Sequence, residues 1–181
     1  QPKGACTCRN MGAEAATGEF LIFLDSDDLL TPTCLQQRLE HQQRQGKEDN
    51  VVHYFQTAIF KDNPHEGHLW DDADHPVGWL EGALSMKPPC QSTGTLWSRS
   101  AWERVGGWNE RLLVWQDIEL HMRAHFEGIE FKRSDVPRVD FLHRVSTDSI
   151  SRVGFHSPEK LASRLAVVRY ALDHKRHIRN E

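Results

Sequence analysis

An α/β fold, with a mixed sheet flanked by helices, is predicted by three features of the sequence. Apolar runs of strand length alternate with amphipathic segments of helical period. One run, Phe20-Leu21-Ile22-Phe23-Leu24, is followed at once by the acidic cluster Asp25-Ser26-Asp27-Asp28. Glycines stand where the amphipathic segments should stop, at Gly18, Gly46 and Gly128.

The elements are expected in this order. Residues 9–17 are Ala-rich and helix-prone. Residues 19–24 read as a buried central strand, apolar on both faces and so expecting neighbours on both sides. Thr31-Pro32 opens a helix with Leu35 and Leu39 on its inner face. Val51 to Phe60 is a second strand, residues 61–78 a loop and Trp79 to Met86 a short helix. Thr93 to Ser98 is a strand, Ser100 to Val105 a helical turn, and Gly106-Gly107 a break. Gln116 to Glu127 is a helix with Ile118, Met122 and Phe126 inward. Two further strands span 129–133 and 136–142. Ser157-Pro158-Glu159 opens a last amphipathic helix with Leu161, Leu165, Val168 and Leu172 inward. The organisation is one partial domain over 1–156 and a C-terminal helix over 157–181, packed on that domain or leaving it.

Composition removes several classes. With 181 residues, 38% hydrophobic, six Trp and eight Phe, the chain is too apolar for a disordered tail. The net charge of −4 argues against a nucleic-acid partner. No apolar run approaches the ~18 residues of a transmembrane segment. Four scattered Cys do not make a disulfide scaffold, which points to a reduced setting, cytoplasmic or peripheral to the inner face of a membrane. The chain begins with Gln1, and its first segment reads like the middle of a domain.

The acidic cluster carries the chemistry. α/β sheets bind ligands at the carboxyl ends of their strands. Three carboxylates within four residues repel one another unless a cation or donors neutralise them. A hard divalent ion, Mn²⁺ or Mg²⁺, bridging to phosphate oxygens meets that need. A solvated acidic turn is the plain alternative.

The residues Gly4, Arg9-Asn10-Met11-Gly12, Ala16-Thr17-Gly18-Glu19-Phe20 and Leu24-Asp25-Ser26-Asp27-Asp28 resemble the family 2 glycosyltransferases of the GT-A fold. So do Gly106-Gly107-Trp108-Asn109-Glu110 and Gln116-Asp117 with the segment that follows. The resemblance runs from about residue 3 to 151. It implies a GT-A-type (Rossmann-like) sheet missing its N-terminal nucleotide-binding strands, and hence a fragment or one product of a split protein. The implied function is inverting, metal-dependent transfer of a sugar from a nucleotide-diphosphate sugar to the hydroxyl of a carbohydrate or other acceptor. Haloacid-dehalogenase-like phosphatases also place Asp-x-Asp after a strand, but Asp28 and Leu29 stand where their Gly and Thr belong. A non-catalytic sugar- or partner-binding remnant is the third reading.

By this resemblance Asp27 coordinates the ion, and Asp25 contacts the ribose or joins the metal shell. Asp28 either belongs with them or caps the next helix. Asp117 is the base that takes the acceptor proton. Arg9 faces the diphosphate, and Asn10 supports the neighbouring loop. Arg144 pairs with the diphosphate. Ser146 stands where the family's closing His is common, so His143 becomes the substitute metal ligand. Glu110 and Glu119 read as structural carboxylates. His121 and His125 share an i, i+4 spacing on a solvated helix face, without the Glu of a zinc protease. Of the six Trp, one or two are expected to line an acceptor cleft.

Overall fold

The computed structural model describes residues 4–46, 48–70, 82, 90–146, 149 and 153–174. The first helix, α1 (Ala5–Ala15), leads to β1 (Phe20–Leu21) and β2 (Leu29–Leu30), with the acidic turn between the two strands. Helix α2 (Cys34–Gln45) ends at Gly46, whose φ of 83° suits a residue without a Cβ. Then come β3 (Val51–Tyr54), β4 (Thr57–Phe60), a 3₁₀ turn (Pro64–Glu66), β5 (His68–Leu69), a second 3₁₀ turn (Ser92–Gly94) and β6 (Thr95–Ser98). Helices α3 (Arg99–Val105) and α4 (Gln116–Phe126), strands β7 (Glu130–Arg133) and β8 (Phe141–Arg144), and helix α5 (Pro158–Asp173) complete the order.

The strands form two four-stranded sheets, β1-β6-β3-β7 and β2-β8-β4-β5. Within them β3 and β7 are parallel, as are β4 and β8. The strand expected over 51–60 is therefore two, one in each sheet. The chain crosses between sheets just after Phe55, whose N–H still extends the β3–β6 register, to the Gly94 carbonyl at 2.9 Å. The returning segment crosses beside it, with Ser134 N–H on the Tyr54 carbonyl at 2.8 Å. The strand expected over 136–142 accordingly starts only at Phe141.

The main core lies against the first sheet. It joins Leu21 and Phe23 to Val52, Trp97, Trp102, Val105, Trp108, Leu120 and Ile129. Phe23 sits 4.6 Å from the Trp102 ring and 5.5 Å from that of Trp108. A second cluster, Leu112, Ile118, Met122, Val167 and Ala171, holds α5 on α4.

Four expectations are corrected. Strand β1 is shorter than 19–24 and pairs only with β6, so it is an edge strand among the described residues, with Leu24 51% exposed. Helix α2 is capped at Thr33 and turns Cys34, Arg38 and His41 inward, leaving Leu35 and Leu39 exposed. Helix α5 turns Ser163, Arg164, Val167 and Ala171 inward and leaves Leu161, Leu165, Val168 and Leu172 outside. His121 is buried and stacked on Trp97, not solvated. The helix expected over 79–86 lies outside the described residues apart from residue 82.

The inward turn of Arg38 has a specific cause. Its guanidinium bonds both carboxylate oxygens of Asp140 and also the Thr93 and Thr95 carbonyls. It lies over the Phe55 ring at 4.7 Å. One cation thus ties α2, the start of β6 and the approach to β8 at the crossing between the sheets.

Candidate functional site

The acidic turn leaves the first sheet at the carboxyl end of β1 and enters β2. Its first and last members close a turn, Asp28 N–H to Asp25 carbonyl at 3.1 Å. The four side chains then divide. Asp28 points inward and is 6% exposed. Its Oδ1 accepts from the Arg144 N–H at 3.0 Å and faces His143 Nδ1 at 2.9 Å; its Oδ2 accepts from the Thr93 hydroxyl at 3.1 Å. Asp28 thus caps no helix; it fastens the turn to β8. Arg144 completes that seam, donating to the Asp27 and Lys61 carbonyls at 3.1 Å while its guanidinium covers Phe60.

Asp27 lies outward. Its carboxylate is exposed and makes no hydrogen bond or ion pair with any described residue. Asp25 is half-buried and paired with the Arg9 guanidinium. Arg9 also donates to Gln116 Oε1 at 3.3 Å and stacks on Trp108 at 4.7 Å. Arg9 therefore joins the end of β1 to the start of α4, elements about ninety residues apart in the chain.

Asp117 follows Gln116 at that helix start, and its Oδ1 accepts from the Ile118 N–H at 2.9 Å. Burial pushes its carboxyl above the ordinary range. Hydrogen bonds from backbone N–H groups and the Arg9 charge pull the other way, and Asp25 adds to the rise. The preceding residue, Trp115, has φ 61° and ψ 27°. A bulky side chain in the left-handed region is a strained arrangement, and here it sets the direction from which α4 starts.

Asn10 ties α1 to the segment from Trp108 to Glu110. Its Nδ2 donates to the Trp108 carbonyl at 2.9 Å and to Glu110 at 2.8 Å, and its Oδ1 accepts from the Trp108 N–H at 2.8 Å. Glu119 is buried and bonded twice to Arg123, which also donates to the Val105 and Gly107 carbonyls. Glu110 and Glu119 are thus both engaged by protein donors.

His143 is raised above its ordinary pKa. Burial lowers it, but the hydrogen bond to Asp28 and the charges of Asp28, Asp27 and Asp25 outweigh burial. Its Nδ1 is held by Asp28, so Nε2 is the nitrogen left to face outward chemistry.

Among the described residues, no group of three or more His, Cys, Asp or Glu forms a ready metal centre. The donors on the turn are nevertheless hard oxygens. An ion that takes one or two carboxylates, and fills its other positions with phosphate and water, is compatible with them.

Thr93 has no signal of its own in the sequence. Trp108 and Gln116 lie in motifs that carry the family resemblance, but their contacts with Arg9 come from segments whose proximity only the fold creates.

The fold is that of a GT-A-type α/β domain. The family model described as Glycosyl transferase family 2 matches residues 1–103. The chain belongs to that family. It is similar in structure to S. aureus TarS 1–349 in complex with UDP-GlcNAc, with a TM-score of 0.61 and 17% identity, over 82% of this chain and 41% of that one. A second S. aureus TarS structure gives a TM-score of 0.56 and 17% identity, over 77% of this chain and 24% of that one. The chain thus spans less than half the length of these structures. No curated protein sequence matches it. No helix among the described residues is long and apolar enough to cross a membrane.

Proposed function

We propose that the chain carries the acceptor-side and metal-side chemistry of an inverting glycosyltransferase using a nucleotide-diphosphate sugar. The observation that supports this most is the Arg9 bridge, because it sets Asp25 beside Gln116-Asp117. A strand-end carboxylate for the donor and a helix-start carboxylate for the acceptor are then joined through one cation.

Asp117 takes the proton from the acceptor hydroxyl as that oxygen attacks the anomeric carbon. Its raised pKa suits the role, since a more basic carboxylate is a stronger proton acceptor. Asp27, exposed and unengaged, and Asp25 are the residues that would hold Mn²⁺ or Mg²⁺. His143, held through Nδ1 by Asp28, would offer Nε2 as a further ligand. Such an ion supplies Lewis-acid neutralisation of the leaving diphosphate. Asp28 does not coordinate in this reading; it orients His143 and holds the turn to β8. Arg9 and Arg144 are the cations nearest the turn. Each already neutralises protein oxygens, so each would reach the diphosphate only by exchanging a partner.

Family membership favours this reading over the phosphatase. The test is release of nucleoside diphosphate from UDP-sugars, UDP-GlcNAc first, by the full chain with Mn²⁺ or Mg²⁺. Turnover that needs the metal and is lost in Asp27→Asn supports the proposal. Turnover unchanged in excess chelator refutes the metal role. Release of inorganic phosphate from simple esters, lost in Asp25→Asn, refutes the glycosyl-transfer role.

A further inference from the structure

The segment from Leu112 to Trp115, which delivers Gln116 and Asp117 to the site, is neither helix nor strand. It ends in Trp115, the one non-glycine with a positive φ among the described residues. A bulky residue keeps that conformation only where its surroundings over-determine it. The contacts that hold Leu112 to Trp115 therefore decide where the start of α4 points.

Part of that hold is local. Gln116 Nε2 donates to the Leu112 carbonyl at 2.9 Å, and the Leu112 N–H donates to the Asn109 carbonyl at 3.2 Å. The rest includes a distant element, α5. Ser163 is buried, and its Oγ accepts from the Leu113 N–H at 2.9 Å. Val167 and Ala171 form one apolar cluster with Leu112 before the helix start and with Ile118 and Met122 after it. Trp115, half-buried, packs against the same cluster. From Trp115 the hold reaches Asp117. The Trp115 carbonyl opens α4 by accepting from the Glu119 N–H at 3.0 Å, and Asp117 Oδ1 accepts from the Ile118 N–H at 2.9 Å.

We infer that Ser163 is a positioning residue for Asp117, so that α5 sets the geometry of the acceptor side of the site. This role rests on the reading of Asp117 as the base. A base must meet one hydroxyl proton, and a displacement of ~1 Å can cost ~10²-fold in rate. Donor affinity need not follow. Asp25 and Asp27 stand on the turn between β1 and β2, and Arg144 stands on β8, none of them on the segment that Ser163 holds.

Ser163→Ala tests this, because it removes the acceptor and leaves the apolar packing of α5. Amide hydrogen exchange of the folded full chain, read by NMR without substrate, should be about tenfold faster at Ile118 and Glu119 and unchanged at Met122 and Arg123 one turn on. With a UDP-sugar and a hydroxyl acceptor, turnover should fall about tenfold while the donor dissociation constant stays within about a factor of two. Trp115→Gly, which takes a positive φ freely but gives up the packing, should act in the same direction. Unchanged exchange at Ile118 and Glu119 in both variants, with or without a drop in Tm, would overturn the inference, since Ser163 would then only fasten α5 to the domain. Turnover and donor affinity falling together would overturn it as well. Full turnover in Asp117→Asn would instead refute the reading of Asp117 as the base, and the exchange data would still report whether α5 holds the helix start.

Discussion

Arg38 grips Asp140 with two hydrogen bonds, Nε to Oδ2 at 2.6 Å and Nη2 to Oδ1 at 2.9 Å, and neither side chain is more than 1% exposed. The pair sits where the chain crosses between the two sheets. Removing one partner strands a buried charge. Asp140→Ala should therefore cost roughly 3–5 kcal/mol. The double variant Arg38→Met with Asp140→Leu should cost less than either single change, because it strands no charge. Urea unfolding of the three variants measures the difference.

Gly107 should also tolerate no side chain. Its φ is 82°, and a Cβ there would lie 2.9 Å from Asn10 Oδ1. Asn10 cannot retreat without releasing Trp108 and Glu110. Gly107→Ala should cost roughly 1–3 kcal/mol from backbone strain. It should also loosen the loop under Arg9. Thermal unfolding reads the first effect, and the Trp fluorescence of the folded state reads the second.

Two buried histidines predict an acid-side loss of stability. Burial lowers His53 to about 4, with the His41 charge adding to the effect, and lowers His121 to about 3. Unfolded, each titrates near 6.5. The unfolded chain therefore binds protons that the folded chain refuses. Stability is full above about pH 6.5 and falls as pH drops toward about 4 for His53 and about 3 for His121. Each contributes a slope approaching ~1.4 kcal/mol per pH unit inside its window. Denaturant unfolding between pH 7 and pH 5 should show this fall, and His121→Gln should shallow it.

Much of the fold was legible from local chemistry. Gly46, Gly106 and Gly128 all have φ near 80° at helix ends, and each was readable as a stop. The acidic turn after β1, and Asp117 at the start of α4, were readable as spacing and neighbours. The inward faces of α2 and α5 were not. Periodicity assigns the largest apolar residues to the core, but Arg38 wins the inner position through a partner 102 residues away. In α5 the inner face is filled by Ser163, Val167 and Ala171 against Leu112, Ile118 and Met122. Small side chains there allow close packing, and the leucines are left outside. The change of sheet after Phe55 was not readable, because Val51 to Phe60 is one strand-like run and only the fold brings Phe141 beside Thr57. The functional division within the turn, with Asp28 inward and Asp27 outward, likewise depends on β8 and Thr93.

On the proposed reading, Asp117 acts as the base in glycosyl transfer. The most direct measurement is the turnover and donor affinity of Asp117→Asn against the unaltered chain, with a UDP-sugar, Mn²⁺ and a hydroxyl acceptor. The account predicts that turnover falls by ~10²-fold or more while the donor dissociation constant stays within about a factor of two. Unchanged turnover, or a loss of donor binding that matches the loss of turnover, would contradict it.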